Sequence, residues 1–137
     1  MNEKGIIGKK GEDIAFEYLK SIGFTIVERN YREKFGEIDI VAKYNNMIVF
    51  IEVKTIAIRN NNQWLEPEDN MTESKIKKLR KICNSYANGN KKIINDREGW
   101  RIDLVAIKLK INNIEEVDKL TIKNKDCIII KHYKNIA

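Results

Sequence analysis

Two apolar segments, residues 38–44 and 47–51, meet at the dipeptide Asn45-Asn46, and no other stretch limits the fold as strongly. Asparagine tolerates the left-handed backbone of tight hairpins, so residues 36–44 and 47–55 are expected to pair as antiparallel strands. A loop centred on the two asparagines pairs residues whose numbers sum to 91. Asp39 then faces Glu52 and Glu37 faces Lys54, with all four side chains on one face, because strand residues two apart point the same way. Opposed residues stand about 4.5 to 5.5 Å apart at Cβ, where like charges repel. Two acids facing each other amid isoleucine and valine require a cation.

The rest of the chain reads as a single domain over residues 1–137. Its 137 residues include 42% hydrophobic and 34% charged side chains, with no internal repeat and one proline, Pro67, which suits one core rather than two. Residues 8–22 have helical periodicity, placing Ile14, Ala15, Tyr18, Leu19 and Ile22 on one face, and Gly23 ends that helix. Glu12 falls on the flank of the apolar stripe, so its carboxylate can point towards the fold. Residues 24–31 read as a strand. A polar loop follows the hairpin at 56–69, carrying Arg59, three asparagines at 60–62, Trp64 and Pro67. Residues 72–88 form a second helix that buries Ile76, Leu79, Ile82, Cys83, Tyr86 and Ala87, with Gly89 as its stop. Strands are expected at 100–110 and, shorter, at 126–131. The order αβββαβ defines an α/β fold, a mixed sheet flanked by helices.

Cys83, Cys127 and the lone His132 cannot build a zinc cage, a redox pair or a disulfide framework. Chemistry is left to carboxylates, amines and backbone. No apolar run reaches the roughly 18 to 20 residues that span a bilayer, and Met-Asn-Glu-Lys-Gly does not begin a signal peptide. A cytoplasmic protein without a membrane partner is expected. The 26 Lys plus Arg exceed the 20 Asp plus Glu, giving a net charge of +6. That excess favours an anionic partner such as nucleic acid, although a general richness in Lys, Asn and Ile also contributes to it.

The central chemical signal is Asp39 followed at a distance by Glu52-Val53-Lys54. Mg²⁺ is a hard cation that takes one or two carboxylates and leaves its other positions to water and phosphate oxygens. Asp39 and Glu52 supply such ligands; the ion would neutralise a scissile phosphate and acidify water. Lys54 would orient the water or offset charge developing on the phosphate. A Glu-x-Lys triplet alone is more often an exposed strand-end pair. Here Glu52 follows a five-residue apolar run and Asp39 interrupts another, and charges in such buried runs usually have a partner or a function.

The blocks Gly8-Lys9-Lys10-Gly11-Glu12, Glu28-Arg29-Asn30-Tyr31-Arg32, Gly36-Glu37-Ile38-Asp39-Ile40-Val41, Phe50-Ile51-Glu52-Val53-Lys54-Thr55 and Arg101-Ile102-Asp103-Leu104-Val105 resemble, in order, those of the YraN-like family. That family is mostly uncharacterised and is assigned to the PD-(D/E)XK nuclease superfamily. The resemblance covers roughly residues 5–110, leaving 111–137 as a C-terminal extension. It implies a restriction-endonuclease-like core. Asp39, Glu52 and Lys54 match the superfamily's catalytic positions, and Glu12 matches the helical glutamate of its Holliday-junction resolvase branch, which binds or orients the metal, Mg²⁺ or Mn²⁺. Ile38 stands in place of the nominal proline before the aspartate. Ile56 stands where relatives commonly carry arginine, and Arg59 is the nearby side chain to take that phosphate contact.

Lys75, Lys77, Lys78 and Lys81 on the second helix either track a phosphate backbone or form a solvated face. Trp64 either stacks on an unpaired base or covers a core edge. Gly5, Gly8 and Gly11 suit close helix packing better than a phosphate loop, since no Gly-Lys-Ser/Thr follows. Arg101 and Asp103 share a strand face and either pair with each other or support the site, outside the catalytic set, and His132 is expected at the surface of the tail. The leading expectation is a Mg²⁺-dependent endonuclease acting on DNA, branched or single-stranded. A chain with a single site would need a second copy to cut both strands of a duplex. An inactive nucleic-acid-binding module and a protein-binding adaptor are the alternatives.

Overall fold

Asn2 starts the first helix in the computed structural model, which describes residues 1–59, 64–95 and 97–137; the asparagines at 60–62 lie outside the described residues. Its side chain accepts the Gly5 N–H at 2.9 Å, so α1 runs Glu3–Ser21 and begins earlier than the apolar stripe suggests. At the other end Gly23 adopts φ +100°, and the N–H groups of Gly23 and Phe24 close back on the carbonyls of Lys20 and Leu19. This satisfies the last turn as the sequence led us to expect. Ile22, beyond the last turn, is exposed rather than part of the buried face.

The strands are β1 Thr25–Glu33, β2 Gly36–Tyr44, β3 Met47–Ile58, β4 Trp100–Lys110 and β5 Ile128–Tyr133, in one five-stranded sheet of order β1-β2-β3-β4-β5. Asn45 and Asn46 both have positive φ, +48° and +66°, and the pairs from Tyr44↔Met47 to Ile40↔Ile51 hold the register expected from the turn. β3 and β4 are parallel and α2, Glu73–Gly89, supplies the crossover; the other neighbouring pairs are antiparallel. The fold is thus a mixed α/β sheet in which the expected order αβββαβ is followed by β5 as a last strand. Residues 56–58 belong to β3, not to a loop, because they pair with Lys108, Leu109 and Lys110 of β4. Glu66 ties the far end of the connector down, bonding Lys108 at 2.6 Å and Lys131 at 3.3 Å.

Each face of the sheet is covered by one helix. Ile14, Ala15 and Leu19 of α1 pack with Ile40, Val49, Ile51, Val105 and Ile107. Leu79, Ile82, Cys83 and Tyr86 of α2 pack with Ile38, Val41, Phe50 and Ile102, whereas Ile76 is only half-buried. Short 3-10 turns at Pro67–Asn70 and Ile114–Lys119 were not foreseen. No helix among the described residues is long and apolar enough to cross a membrane.

His132 is the clearest correction. Its side chain is only 6% exposed. Nε2 lies 2.8 Å from Asp103 and Nδ1 lies 3.0 Å from the Tyr18 hydroxyl, so β5 is bolted to β4 and α1. Asp103, fully buried, also accepts two bonds from Arg101, one of the two arrangements expected, and the Asn135 N–H. Burying a charged carboxylate demands that many donors.

Candidate active site

Two strands lose their alternation where the acids gather. Ile40 packs on the α1 side of the sheet, yet Ile38, two residues away, packs on the α2 side. In β1, Arg29 pairs with Ile40 and Tyr31 with Ile38, and Asn30 between them has φ +55°. A left-handed residue inside a strand rotates the chain, so its two neighbours face opposite ways. Arg29 accordingly reaches Asp13 of α1 at 2.8 Å, while Tyr31 meets the Tyr86 ring of α2 edge-on at 4.8 Å.

Asp39 sits at the same break. The β2–β3 ladder ends at Ile40↔Ile51, and the Val53 N–H of β3 donates at 2.8 Å to the Asp39 carboxylate instead of to a β2 carbonyl. Asp39 and Glu52 do come together, their carboxyl groups lying within reach of each other. Glu37, Glu52 and Lys54 line one cleft, as expected of one face, but the expected cross-strand pairs Asp39–Glu52 and Glu37–Lys54 lie beyond the end of the ladder. Once the ladder stops, Asp39 turns into the seam between the strands; Glu37 instead pairs with Arg32 at 3.1 Å and Lys54 with Glu52 at 3.5 Å.

Electrostatics follow from this burial. Desolvation raises the Asp39 pKa far above the ordinary carboxylate range, and the Glu52 charge adds to it, against the opposing Val53 N–H. Glu52 is raised as well, by burial first, with Lys54 opposing. Burial is the largest influence on both, so two bare carboxylates side by side are unfavourable here. Glu12 is the third acid: burial raises it, and the Asp39 charge adds to that. Its Oε1 is buried without a hydrogen-bond partner, a costly arrangement for a carboxylate. Among the described residues no three acidic, thiol or imidazole groups are gathered tightly enough to enclose a metal ion. The closest approach to a ligand set is therefore Asp39 with Glu52, and the unpaired oxygen of Glu12 belongs to the same acidic group. An all-oxygen donor set of this kind suits a hard divalent cation, for which two carboxylates suffice.

Gly11 is the reason Glu12 reaches this place. A Cβ there would lie 1.8 Å from the Thr55 hydroxyl, so α1 rests directly on β3 beside Lys54. Close packing explains Gly11 alone: a Cβ on Gly8 would meet nothing within 4 Å, and one on Gly5 would meet only the Met1 and Asn2 side chains.

Two clefts open beside the pair. One of about 180 Å³ is lined by Phe35, Glu37, Glu52, Lys54, Lys75 and Lys78 among others. The second, about 680 Å³, includes Lys4, Lys54, Ile56, Arg59 and Lys75. Lys54 and Lys75 belong to both, which joins them into a cation-lined path past Glu52. Arg59 and Ile56 share the second cleft, and Arg59 also lies 3.9 Å from Glu3. Lys81 stands over the Phe35 ring, 5.4 Å from its centroid. Lys77 lines a different hollow, with Glu73, Arg80 and Ile136. Trp64 is 72% exposed, so it does not cover a core edge.

Sequence reasoning overlooked Glu37 and Lys4 as members of the site. The Glu37 charge raises the pKa of Glu12, Asp39 and Glu52 alike. Its position two residues before Asp39 was the available signal, masked by the assumption that it pairs with Lys54. Nothing in the sequence around Lys4 marks it.

Fold and site define an α/β protein with a buried carboxyl pair at a strand seam, beside a lysine where two basic clefts meet. The chain matches the Uncharacterised protein family UPF0102 over residues 11–107 and belongs to that family. Similar members include a UPF0102 protein of Clostridium botulinum, 42% identical over 118 residues that make up 86% of this chain and 91% of the relative. A UPF0102 protein of Chloroherpeton thalassium is 41% identical over 109 residues, 80% of each chain. One from Persephonella marina is 37% identical over 109 residues, 80% of this chain and 87% of that one.

Proposed function

We propose that this protein is a Mg²⁺- or Mn²⁺-dependent nuclease of the PD-(D/E)XK type that hydrolyses phosphodiesters in DNA. The observation that carries the reading is the adjacent, buried Asp39–Glu52 carboxyl pair, with the Val53 N–H on Asp39 at 2.8 Å and Lys54 Nζ 3.5 Å from Glu52. A site that buries two acids side by side against desolvation favours a cation between them. Asp39 and Glu52 would hold the ion, and Glu12, with its unpaired oxygen, would bind or orient it. Such an ion supplies positive charge against the scissile phosphate and acidity to water. Lys54 is held by Glu52 at the meeting of the two clefts, where its ammonium can orient water or offset charge gathering on the phosphate oxygens. Lys4, Arg59, Lys75 and Lys78 line the path on either side and suit the flanking phosphates.

Titration of Mg²⁺ or Mn²⁺ into the wild type and Asp39→Ala by calorimetry, with a nuclease assay on linear, single-stranded, flapped and four-way DNA, tests this reading. The wild type should bind the ion and cleave at least one substrate, and the variant should do neither. Absence of metal binding by the wild type sinks the proposal. DNA binding without cleavage of any substrate would instead select a binding module that kept the fold.

A further inference from the structure

Phe35 occupies an unusual position for an exposed aromatic side chain. It stands in the two-residue turn between β1 and β2, 45% exposed, and lines the same cleft as Glu52, Lys54, Lys75 and Lys78. The turn that carries it is fixed to α2: the Ser85 hydroxyl donates to both oxygens of Glu33, at 2.9 and 3.0 Å, and Tyr31 donates to the same carboxylate. Gly36, next along, lies against Ile82. The ring is thus presented from a rigid mount, and the Lys81 ammonium stands over it, 5.4 Å from its centroid. Trp64, though more exposed, lines neither of the two clefts that meet at Lys54.

An aromatic ring flanked by ammonium groups is the recurring means of holding single-stranded nucleic acid: the cations follow the phosphates and the ring stacks on a base. A paired base in a duplex is already stacked on its neighbours and would have to leave the helix to use the ring. We infer that Phe35 is a stacking platform for an unpaired base beside the β2–β3 site, so that the substrate class is DNA with a single-stranded segment next to the bond to be cut. The inference rests on the nuclease reading above and deepens it.

The test uses the full chain in EDTA, where no metal-dependent hydrolysis runs, and a forked DNA with 2-aminopurine as its first unpaired base. A duplex of equal length is the control. Stacking quenches 2-aminopurine, so the wild type and Phe35→Trp should quench on binding while Phe35→Leu should not. Phe35→Leu should also lose about 5- to 100-fold in affinity for the fork and little for the duplex, in line with the usual worth of a base–aromatic stack. Unchanged thermal melting of the variants guards against misfolding. Salt-sensitive fork binding with the same quenching and affinity in Phe35→Leu as in the wild type overturns the inference and leaves the nuclease reading standing. Failure of every form to bind either DNA overturns both.

Discussion

The carboxylate of Asp39 accepts the main-chain N–H of Val53 at 2.8 Å. A side chain of β2 thereby does the work of a β2 carbonyl, and the strands can part without leaving a buried donor unpaired. The parting lets Glu52 reach Asp39 and opens the cleft to Lys54. The cost is a carboxylate only 8% exposed, next to other acids, whose pKa burial pushes up to about 8.

Asp39→Asn should stabilise the protein in EDTA at pH 7 by roughly 1 to 3 kcal/mol, since the amide can accept from Val53 and donate to Glu52 without a charge to desolvate. The sign follows from proton linkage. Folded Asp39 keeps its proton at pH values where the unfolded chain, with an Asp pKa near ~3.9, has lost it. Wild-type stability is therefore fully present below about pH 4 and falls as pH rises through the raised folded value, so the advantage of the variant should widen over that range. Urea denaturation from pH 4 to 8 reads this directly, and parallel pH profiles would refute it. The variant should also lose any stabilisation by Mg²⁺.

Lys54→Ala should lower cleavage by about 100-fold or more while changing DNA affinity only a few-fold, because it removes one ammonium among several that line the path. Single-turnover assays with a binding titration separate the two effects. Unchanged cleavage would remove Lys54 from the chemistry.

Gly11→Ala should cost roughly 1 to 3 kcal/mol by lifting α1 from β3. Adding Thr55→Ala should restore only part of this, because the new Cβ would still stand 2.6 Å from the Thr55 Cβ position. Because the displaced helix carries Glu12, metal affinity should fall together with stability. Thermal melting and calorimetry on the single and double variants check both.

Asp103→Ala should destabilise by about 3 to 5 kcal/mol, since Arg101 loses its carboxylate partner and the buried His132 keeps only the Tyr18 hydroxyl. Burial alone would raise the Asp103 pKa, but hydrogen bonds from His132, Arg101 and Asn135 prevail and hold it below the ordinary range. A lowered folded pKa contributes stability above the unfolded value, near ~3.9, that is lost as pH falls through the folded one. The gap between wild type and variant in urea should therefore narrow below about pH 4. A gap of the same size at pH 3 and pH 7 would contradict this.

Local pattern was sufficient for much of the architecture. The paired asparagines set the hairpin register, α2 showed its buried face by helical spacing, and Gly23 marked a helix end, because turn chemistry and periodicity act over a few residues. The meeting of Asp39 with Glu52 was likewise legible from that register. Its form was not: the turn of Asp39 into the seam coincides with a left-handed Asn30 on another strand and depends on a donor from Val53. Glu12 reaches the site because Gly11 meets Thr55, 44 positions along the chain. His132 is buried by Asp103 and Tyr18, from an adjacent strand and a distant helix. The chain alone determined which groups lie near one another along each element. Tertiary packing decided where each charge points, because the orientation and protonation of a buried polar group depend on partners and excluded water that no local pattern encodes.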